Sequence, residues 1–289
     1  MGGEEEVVIK RGVSLLGFSA GQYYHFLLEG LSRLLLFVDE LPDAEGGYTL
    51  LLPQSEGSYI EEILNLLPAS LLQNKFTKFV VHDPSVKLLV EELWHADWRF
   101  VEGEEIEGCR RGEGRELLPP TEGLKRIRSV FTGNNGDNGG PHSGRESLVL
   151  VLRPQDATRS FVNEAAVVEG LEMLSSSLNL DLVLFRGEDS GVKAAVDVFH
   201  RAAIVVGVHG GGLANVVFCR QGALVIEIGM SEWEFRGMYG NIAQAVGVNH
   251  KRYSLELPSL FESRIAVDVE DMVGFVHREI VLRAEPGSK

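Results

Sequence analysis

The segment Ala203-Ile-Val-Val-Gly-Val-His-Gly-Gly-Gly-Leu-Ala-Asn215 joins an apolar, β-branched run to a histidine and three glycines. The apolar run is typical of a buried strand, and residues 213–219 can begin a helix. Peptide N–H groups would then converge at the helix N-terminus, which carries about half a positive charge, and the glycines allow a ligand to approach the backbone closely. This arrangement predicts an anion site best suited to a diphosphate. Glycine-rich turns of this kind are also common in α/β proteins without a phosphate ligand, so the turn alone leaves both interpretations open.

The sequence around this segment alternates between strand and helix patterns. Four apolar runs have the length of buried strands, at 148–152, 180–185, 203–208 and 223–228. Helical periodicity separates them at 162–178 and 191–202, and an amphipathic closing helix is predicted at 268–284. Such alternation is typical of βαβ units and predicts a parallel sheet, in which ligands bind beyond the carboxyl ends of the strands.

The first half of the chain shows a less regular alternation of the same kind. Helices are predicted at 21–40, 59–72 and 86–96, and strands at 48–52, 78–82 and 99–101. Between the halves, residues 132–147 are rich in glycine and asparagine, which predicts a linker or mobile loop. We therefore expect two α/β domains, residues 1–131 and residues 148–289.

Composition and charge narrow the class of protein. The 289 residues are 44% apolar and 24% charged, as in a globular protein, and the net charge of −15 argues against a nucleic-acid surface. Cys109 and Cys219 have no CxxC spacing, which argues against a cysteine-based zinc site. The acidic start from Met1 to Glu6 predicts neither a signal peptide nor a membrane anchor. On these residues alone, the chain is expected to be cytosolic or a fragment of a longer protein.

Five polar side chains are expected at the same sheet edge as the glycine turn. His209 could donate to a phosphate or bond a neighbouring carbonyl, and Asn215 could contact a ligand or satisfy a loop carbonyl. Glu227 ends its predicted strand, where a carboxylate can accept ribose hydroxyls or join an ion pair. Arg153 and Arg159 are placed to bind a diphosphate bidentately, although an arginine such as Arg159 is also common at a helix start.

A second polar group lies in the first half. His25, Glu29 and Arg33 occupy positions i, i+4 and i+8 of the predicted helix at 21–40 and therefore share one stripe. A polar stripe on an otherwise apolar helix can line a cleft, or it can be a solvated face with an ion pair. The sequence leaves both interpretations open.

The remaining polar residues and the absent motifs suggest no further chemistry. Arg186 is expected to be a solvated turn residue. Six histidines lack metal-ligand spacing and are expected to be structural or surface residues: His82, His95, His142, His200, His250 and His277. The sequence has no GxxxxGK[ST], HExxH or Asp-x-Asp motif. A Walker-type kinase, a zinc metalloprotease of that type and a metal site built on two close carboxylates are therefore disfavoured.

Four motifs occur in an order that points to a known family. Residues 23–28 resemble a Tyr-x-His-Trp/Phe-Leu-Leu run, and Arg153 resembles a strand-end arginine. Residues 159–164 resemble Arg-x-x-x-Asn-Glu, and residues 209–215 resemble His-Gly-Ala-Gly-Leu-x-Asn with Gly211 in place of the alanine. With these motifs the chain is similar to glycosyltransferase family 61 from about residue 22 to residue 253. That family includes EGF-domain-specific and dystroglycan-type N-acetylglucosaminyltransferases and plant xylan arabinosyl- and xylosyltransferases.

The resemblance implies two facing Rossmann-like domains with parallel sheets, a GT-B-like fold, with the acceptor on the first domain and the donor on the second. It implies an inverting glycosyltransferase that moves N-acetylglucosamine or a pentose from a UDP-sugar to a hydroxyl of a glycan or glycoprotein. No tightly bound cofactor is implied, and no motif demands a divalent metal. Since eukaryotic members of the family are usually lumenal, the resemblance also implies the Golgi or ER lumen.

Roles for individual residues follow from the motifs and the resemblance together. The departing diphosphate is expected to contact a group around the glycine turn: Arg153, Arg159, His209, Gly210, Gly211, Gly212, Leu213 and Asn215. Glu227 is expected to bind the ribose. His25 is expected to be the catalytic base, with Glu29 as the alternative. Two other functions are considered: a non-catalytic nucleotide- or glycan-binding module of the same fold, and a nucleotide-cofactor oxidoreductase, whose GxGxxG pattern is poorly met.

Overall fold

The computed structural model describes residues 6–17, 19–96, 100–101, 104–105, 119–133, 145–230, 237–256 and 264–284. The chain divides into two compact units, Met1–Phe131 and Thr132–Lys289. Most of the predicted linker, residues 134–144, lies outside the described residues. Within the described part of the chain, no helix has both the length and the apolar character needed to cross a bilayer.

The first unit contains a sheet of four parallel strands. The strands are β1 (Glu6–Ser14), β2 (Tyr48–Leu52), β3 (Phe76–Val81) and β4 (Lys87–Trp94), in the order β3-β2-β1-β4. Val13 of β1 and Leu50 of β2 are completely buried, so this sheet has its own apolar core. Two further strands, β5 (Phe100–Val101) and β6 (Glu104–Glu105), form a short antiparallel pair.

Helices of the first unit follow β1, β2 and the short pair. Residues His25–Gly30 form a π-helix that continues into α1 (Leu31–Phe37) and a 3₁₀ turn, Val38–Glu40. The stretch predicted as a helix at 21–40 is therefore helical, but its hydrogen-bonding pattern changes along the chain from π to α to 3₁₀. The stretch predicted as helix 59–72 is interrupted at Pro68, because proline has no N–H to continue the helix. It gives α2 (Tyr59–Leu66) and α3 (Ala69–Gln73), and α4 (Thr121–Thr132) ends at the boundary of the unit.

One prediction in this unit is wrong. Residues 86–96 were expected to be helical, but they contain strand β4, which pairs in parallel with β1 from Glu6–Lys87 to Val13–Trp94. Strand β1, the partner that makes β4 a strand, has no clear signal in the sequence pattern. Pairing between segments about 80 residues apart outweighs the local helical spacing of the leucines.

The second unit contains five parallel strands. They are β7 (Ser147–Leu152), β8 (Asp181–Arg186), β9 (Ala202–Val208), β10 (Leu224–Met230) and β11 (Asn249–Leu255), in the order β11-β10-β9-β7-β8. All four strands expected in this half are confirmed, and β11 is additional. The α/β class with parallel sheets in both halves is thereby confirmed.

Four helices accompany this second sheet. They are α5 (Glu164–Ser177), α6 (Val192–Arg201), α7 (Met238–Val246) and α8 (Val269–Ala284). Helices α5, α6 and α8 were predicted. Central residues of three strands, Leu150, Val206 and Ile226, are completely buried, as are Met272 and Val276 of α8. The closing helix therefore contributes to the same core as the strands.

The strand order fixes the position of the switch point in the second sheet. The chain proceeds from β7 outward to β8 on one side, and from β9 to β10 and β11 on the other. The change of direction between β7 and β9 separates the connections that follow these two strands, and ligands of open α/β sheets bind at such a point. Arg153 directly follows β7 and His209 directly follows β9. The structure thus places both predicted residues at the switch point.

Candidate active site

The glycine turn lies directly beyond β9. Residues Gly211–Phe218 form a 3₁₀ helix rather than an α-helix, and its first hydrogen bond runs from the Leu213 amide to the Gly210 carbonyl at 2.9 Å. The Leu213 amide was expected to bind a ligand but is used inside the helix. The amides of Gly211 and Gly212 precede that first bond, in the position where helix N–H groups lack an intrahelical acceptor. Both residues are partly exposed, so contact of these two amides with an anion stays a prediction.

The three glycines have different surroundings. A Cβ atom at Gly210 would lie 2.7 Å from Nη1 of Arg153, and one at Gly212 would lie 2.8 Å from Cγ1 of Val151. A Cβ atom at Gly211 would have no neighbour within 4 Å. Gly210 therefore permits the close approach of the Arg153 guanidinium, whereas Gly211 has room for a methyl group. The family resemblance, which has alanine at position 211, agrees with this space.

The Arg153 guanidinium has no recorded acceptor in the part of the chain that the structure describes. Among the described residues, its buried Nε has no hydrogen-bond acceptor, and no carboxylate forms an ion pair with it. Burial lowers the pKa of Arg153 below its ordinary value, and this effect exceeds the opposing influence of Tyr239 and Glu188. A partly desolvated cation without a partner is costly to the folded protein. Its position beside Gly210 suits it to an anionic ligand.

Arg159 holds the backbone of the turn. Its Nη1 donates a 3.0 Å hydrogen bond to the His209 carbonyl. The backbone of Arg159 itself has φ of 63°, a left-handed conformation that costs energy for a residue with a side chain. Arg159 therefore fixes the carbonyl that precedes Gly210. Direct contact with a ligand, as expected from the sequence, stays a prediction for this residue.

Glu227 is buried between two histidines. Its Oε1 lies 2.5 Å from Nδ1 of His209, and its Oε2 lies 2.7 Å from Nε2 of His250. Arg252 lies farther away, with Nε 3.8 Å from Oε2. Burial alone would raise the pKa of Glu227, but the hydrogen bonds from the two histidines lower it to about 2. Glu227 is therefore an anion, and each ring donates one N–H to it.

The strand register explains this cluster. Glu227 on β10 is paired with Gly207 on β9 and with Arg252 on β11, while His209 and His250 lie two residues from those partners. Residues two apart in a strand share a face, and diagonal neighbours on adjacent strands are within reach of long side chains. These contacts support a role for Glu227 in holding His209. Its expected contact with ribose stays a prediction, since only 4% of the residue is exposed.

Tyr239 is a part of the site that sequence reasoning missed. Its hydroxyl donates a 2.6 Å hydrogen bond to the Gly210 carbonyl, and its ring meets the His209 ring edge-on with centroids 5.1 Å apart. Burial raises the pKa of the hydroxyl, so the side chain is neutral. Tyr239 therefore packs the turn from α7. Neither Tyr239 nor His250 belongs to a recognisable motif, and both come from elements that the sequence patterns did not reveal.

Two other predicted residues have structural partners. Asn215 donates through Nδ2 to the Gly212 carbonyl at 3.0 Å and is buried, which favours the loop-carbonyl alternative for this contact. Arg186 was expected to be solvated, but its Nη1 donates to the Arg153 carbonyl at 3.0 Å and its Nη2 pairs with Glu164. The expectation for Arg186 is therefore wrong: this side chain links the backbone after β7 to the first turn of α5.

In the first unit, His25 and Glu29 form a pair on the π-helix. Nδ1 of His25 lies 3.0 Å from Oε2 of Glu29, and only 22% and 20% of the two side chains are exposed. The ring of His25 also meets the ring of Tyr24 edge-on. The i,i+4 pair of one alternative is therefore present, the two side chains are only partly exposed, and a role for them in lining a cleft stays a prediction. π-helical turns are rare and are found frequently at functional sites.

Comparisons with known proteins place the chain in a class. The family model of Glycosyltransferase 61 matches residues 23–226, which is most of the chain. These residues include the His25–Glu29 pair, Arg153 and the glycine turn. The chain therefore belongs to glycosyltransferase family 61.

Two rice proteins are similar over part of the sequence. The alpha-1,3-arabinosyltransferase XAT3 of Oryza sativa subsp. japonica is 32% identical over 113 residues, and XAT2 of the same organism is 29% identical over 113 residues. In both cases the match covers 37% of this chain and 18% of the relative. The shared region is thus a small part of those proteins.

Proposed function

We propose that the protein transfers a sugar from a UDP-sugar to a hydroxyl of a glycan or glycoprotein. The observation that carries this proposal is the Arg153 guanidinium, which is partly desolvated, has no protein acceptor among the described residues and lies against Gly210. A nucleoside diphosphate supplies the negative charge that this group lacks. Planar guanidinium groups bind phosphate oxygens bidentately.

The leaving group of the transfer is the diphosphate, whose negative charge grows as the bond to the sugar breaks. Arg153 and the amides of Gly211 and Gly212 are fixed before the reaction, so they stabilise this charge without reorganisation. Arg159 and Tyr239 act on the backbone of the turn and thereby hold those donors in place. The second unit is therefore proposed as the donor-binding unit.

The acceptor hydroxyl must lose a proton as it attacks the sugar. We assign this role to His25, because an imidazole ring can accept a proton and because Glu29 is close enough to stabilise its protonated form. Attack by the acceptor itself, without an enzyme-bound intermediate, inverts the anomeric centre. The proposal includes a GT-B-like arrangement, with the acceptor bound by the first unit, and a location in the Golgi or ER lumen.

The names of the two rice relatives suggest an order in which to test candidate donor sugars. XAT2 and XAT3 are arabinosyltransferases, so a UDP-pentose is a first candidate, and N-acetylglucosamine is the second on the family resemblance. A thermal-shift screen of UDP, GDP and their sugars tests the nucleotide. A ligand at 100 times its dissociation constant stabilises the protein by about 2.7 kcal/mol. UDP binding without transfer to any glycan acceptor would instead identify a non-catalytic binding module.

The glycine turn offers a matched pair of variants. Gly210→Ala brings a methyl group within 2.7 Å of Arg153, whereas Gly211→Ala places one in open space. We expect Gly210→Ala to weaken UDP binding by about 10- to 100-fold, equivalent to about 1.4 to 2.8 kcal/mol, because the guanidinium must move. Gly211→Ala should retain the wild-type affinity. Titration calorimetry with UDP measures both, and equal affinities of the two variants would count against the placement of the diphosphate.

A further inference from the structure

The cluster of His209, Glu227 and His250 contains one carboxylate and two imidazoles. The carboxylate accepts an N–H from each ring, at 2.5 and 2.7 Å, and 4% of Glu227 is exposed. If both rings are neutral, the cluster carries one negative charge. This charge lies immediately beside the turn that is proposed to bind a diphosphate, because His209 is bonded to Gly210 in the chain.

The charged groups around the cluster offset the repulsion between the Glu227 carboxylate and a bound diphosphate only in part. Arg252 forms a long ion pair with Glu227, with Nε 3.8 Å from Oε2, which offsets part of the charge of the carboxylate, and Arg159 donates to the His209 carbonyl. Tyr239 is neutral, since burial raises its pKa. Arg153 is the cation assigned to the ligand. Like charges in a poorly solvated site repel strongly, and a proton on an imidazole is the available means of reducing the repulsion.

We propose that binding of a nucleoside diphosphate at the glycine turn is coupled to the uptake of a proton by the His209–Glu227–His250 cluster. This inference rests on the proposed function, because it requires the diphosphate to bind at the turn. The proton comes from solvent and is held on an imidazole nitrogen, while Glu227 keeps both hydrogen bonds. His250 is thereby assigned as a positioning residue, since it acts on the ligand through Glu227.

The sign of the effect follows from linkage. Because the bound state holds more protons than the free state, affinity for the nucleotide falls as the pH rises, by up to about tenfold per pH unit for one linked proton. Calorimetric titration with UDP at pH 8, in two buffers with different ionisation enthalpies, gives the number of protons taken up. The terminal phosphate of free UDP is ionised at this pH, because phosphate monoesters have a second pKa of about 6.

Three variants distinguish the cluster from other sources of protons. Glu227→Gln keeps the shape of the side chain but removes the charge that stabilises a protonated ring, and His250→Gln removes one ring. Both should bind UDP with much less proton uptake than the wild type at pH 8. His277→Gln is the matched control, since His277 is exposed on α8 and should retain the wild-type uptake.

The outcomes separate this inference from the proposed function. UDP binding with no proton uptake by the wild type, or with equal uptake in the wild type and Glu227→Gln, overturns the coupling but leaves the donor site intact. Failure of the wild type to bind UDP overturns both. Thermal unfolding of each variant establishes that it is folded, and the isosteric Glu227→Gln serves as the deciding variant if His250→Gln does not fold.

Discussion

Replacing Arg153 with methionine is expected to weaken UDP binding by about 30- to 1000-fold, the effect of losing one side of a desolvated charge pair worth about 2 to 4 kcal/mol. The same substitution should raise the thermal unfolding midpoint of the protein without nucleotide. The guanidinium has no acceptor among the described residues, so methionine removes a partly buried, unpaired charge and leaves no described partner unsatisfied. Each kcal/mol gained corresponds to about 2 to 4 °C for a domain of this size.

A substitution that raises the unfolding midpoint but weakens UDP binding indicates a residue that serves ligand binding at a cost to stability. Calorimetric titration gives the affinity, and scanning calorimetry without UDP gives the unfolding midpoint. Arg201→Met is the matched control, because Arg201 is exposed at the end of α6 in the same unit and donates only to the Asp197 carbonyl among its recorded bonds. If Arg153→Met lowered the unfolding midpoint and left the affinity intact, Arg153 would be a structural residue and the proposed donor site would be wrong.

Replacing His25 with alanine is expected to lower kcat by about 100- to 10,000-fold, the usual contribution of a general base. UDP affinity should not change, because the donor is assigned to the second unit. Glu29→Gln should lower kcat less, since Glu29 is 3.0 Å from the ring and acts by stabilising its protonated form. Initial rates with the donor found in the nucleotide screen, measured across the pH range, test both variants.

Added imidazole provides a second measurement for His25. A truncated side chain leaves space in which a free imidazole can accept the proton of the hydroxyl, so partial recovery of kcat in His25→Ala is expected. His277→Ala, at an exposed position, should behave as the wild type with and without imidazole. A normal kcat in His25→Ala would show that the base is another residue.

The second sheet could be predicted from the sequence because its signals are local. Residues 148–152 and 203–208 are almost continuous apolar runs, which is typical of parallel strands buried on both faces. Strand β11 was missed for the converse reason: of its seven residues only Tyr253 is buried, and the rest of Asn249–Leu255 is polar or partly exposed. In the first unit, β4 was assigned to a helix because the partner strand that defines it lies about 80 residues earlier.

In the candidate site, too, the residues with clear local signals could be predicted and the contacts between distant segments could not. Arg153, His209 and Glu227 could be located because each ends, or directly follows, a strand whose apolar pattern is clear. Their contacts could not be predicted, since these depend on the register between strands. His250 and Tyr239 were missed because each lies in an element that was not identified. That Arg153 has no acceptor among the described residues depends on the fold, and no sequence pattern reports it.

The open space at Gly211 makes the site accessible to a reporter group. A cysteine there would meet no atom within 4 Å at its Cβ, beside the two amides assigned to the diphosphate. Cys219 is buried, so with Cys109 changed to serine a fluorophore could be attached at position 211 alone. Such a labelled protein would convert occupancy of the turn into an optical signal and would follow donor arrival and product departure in real time.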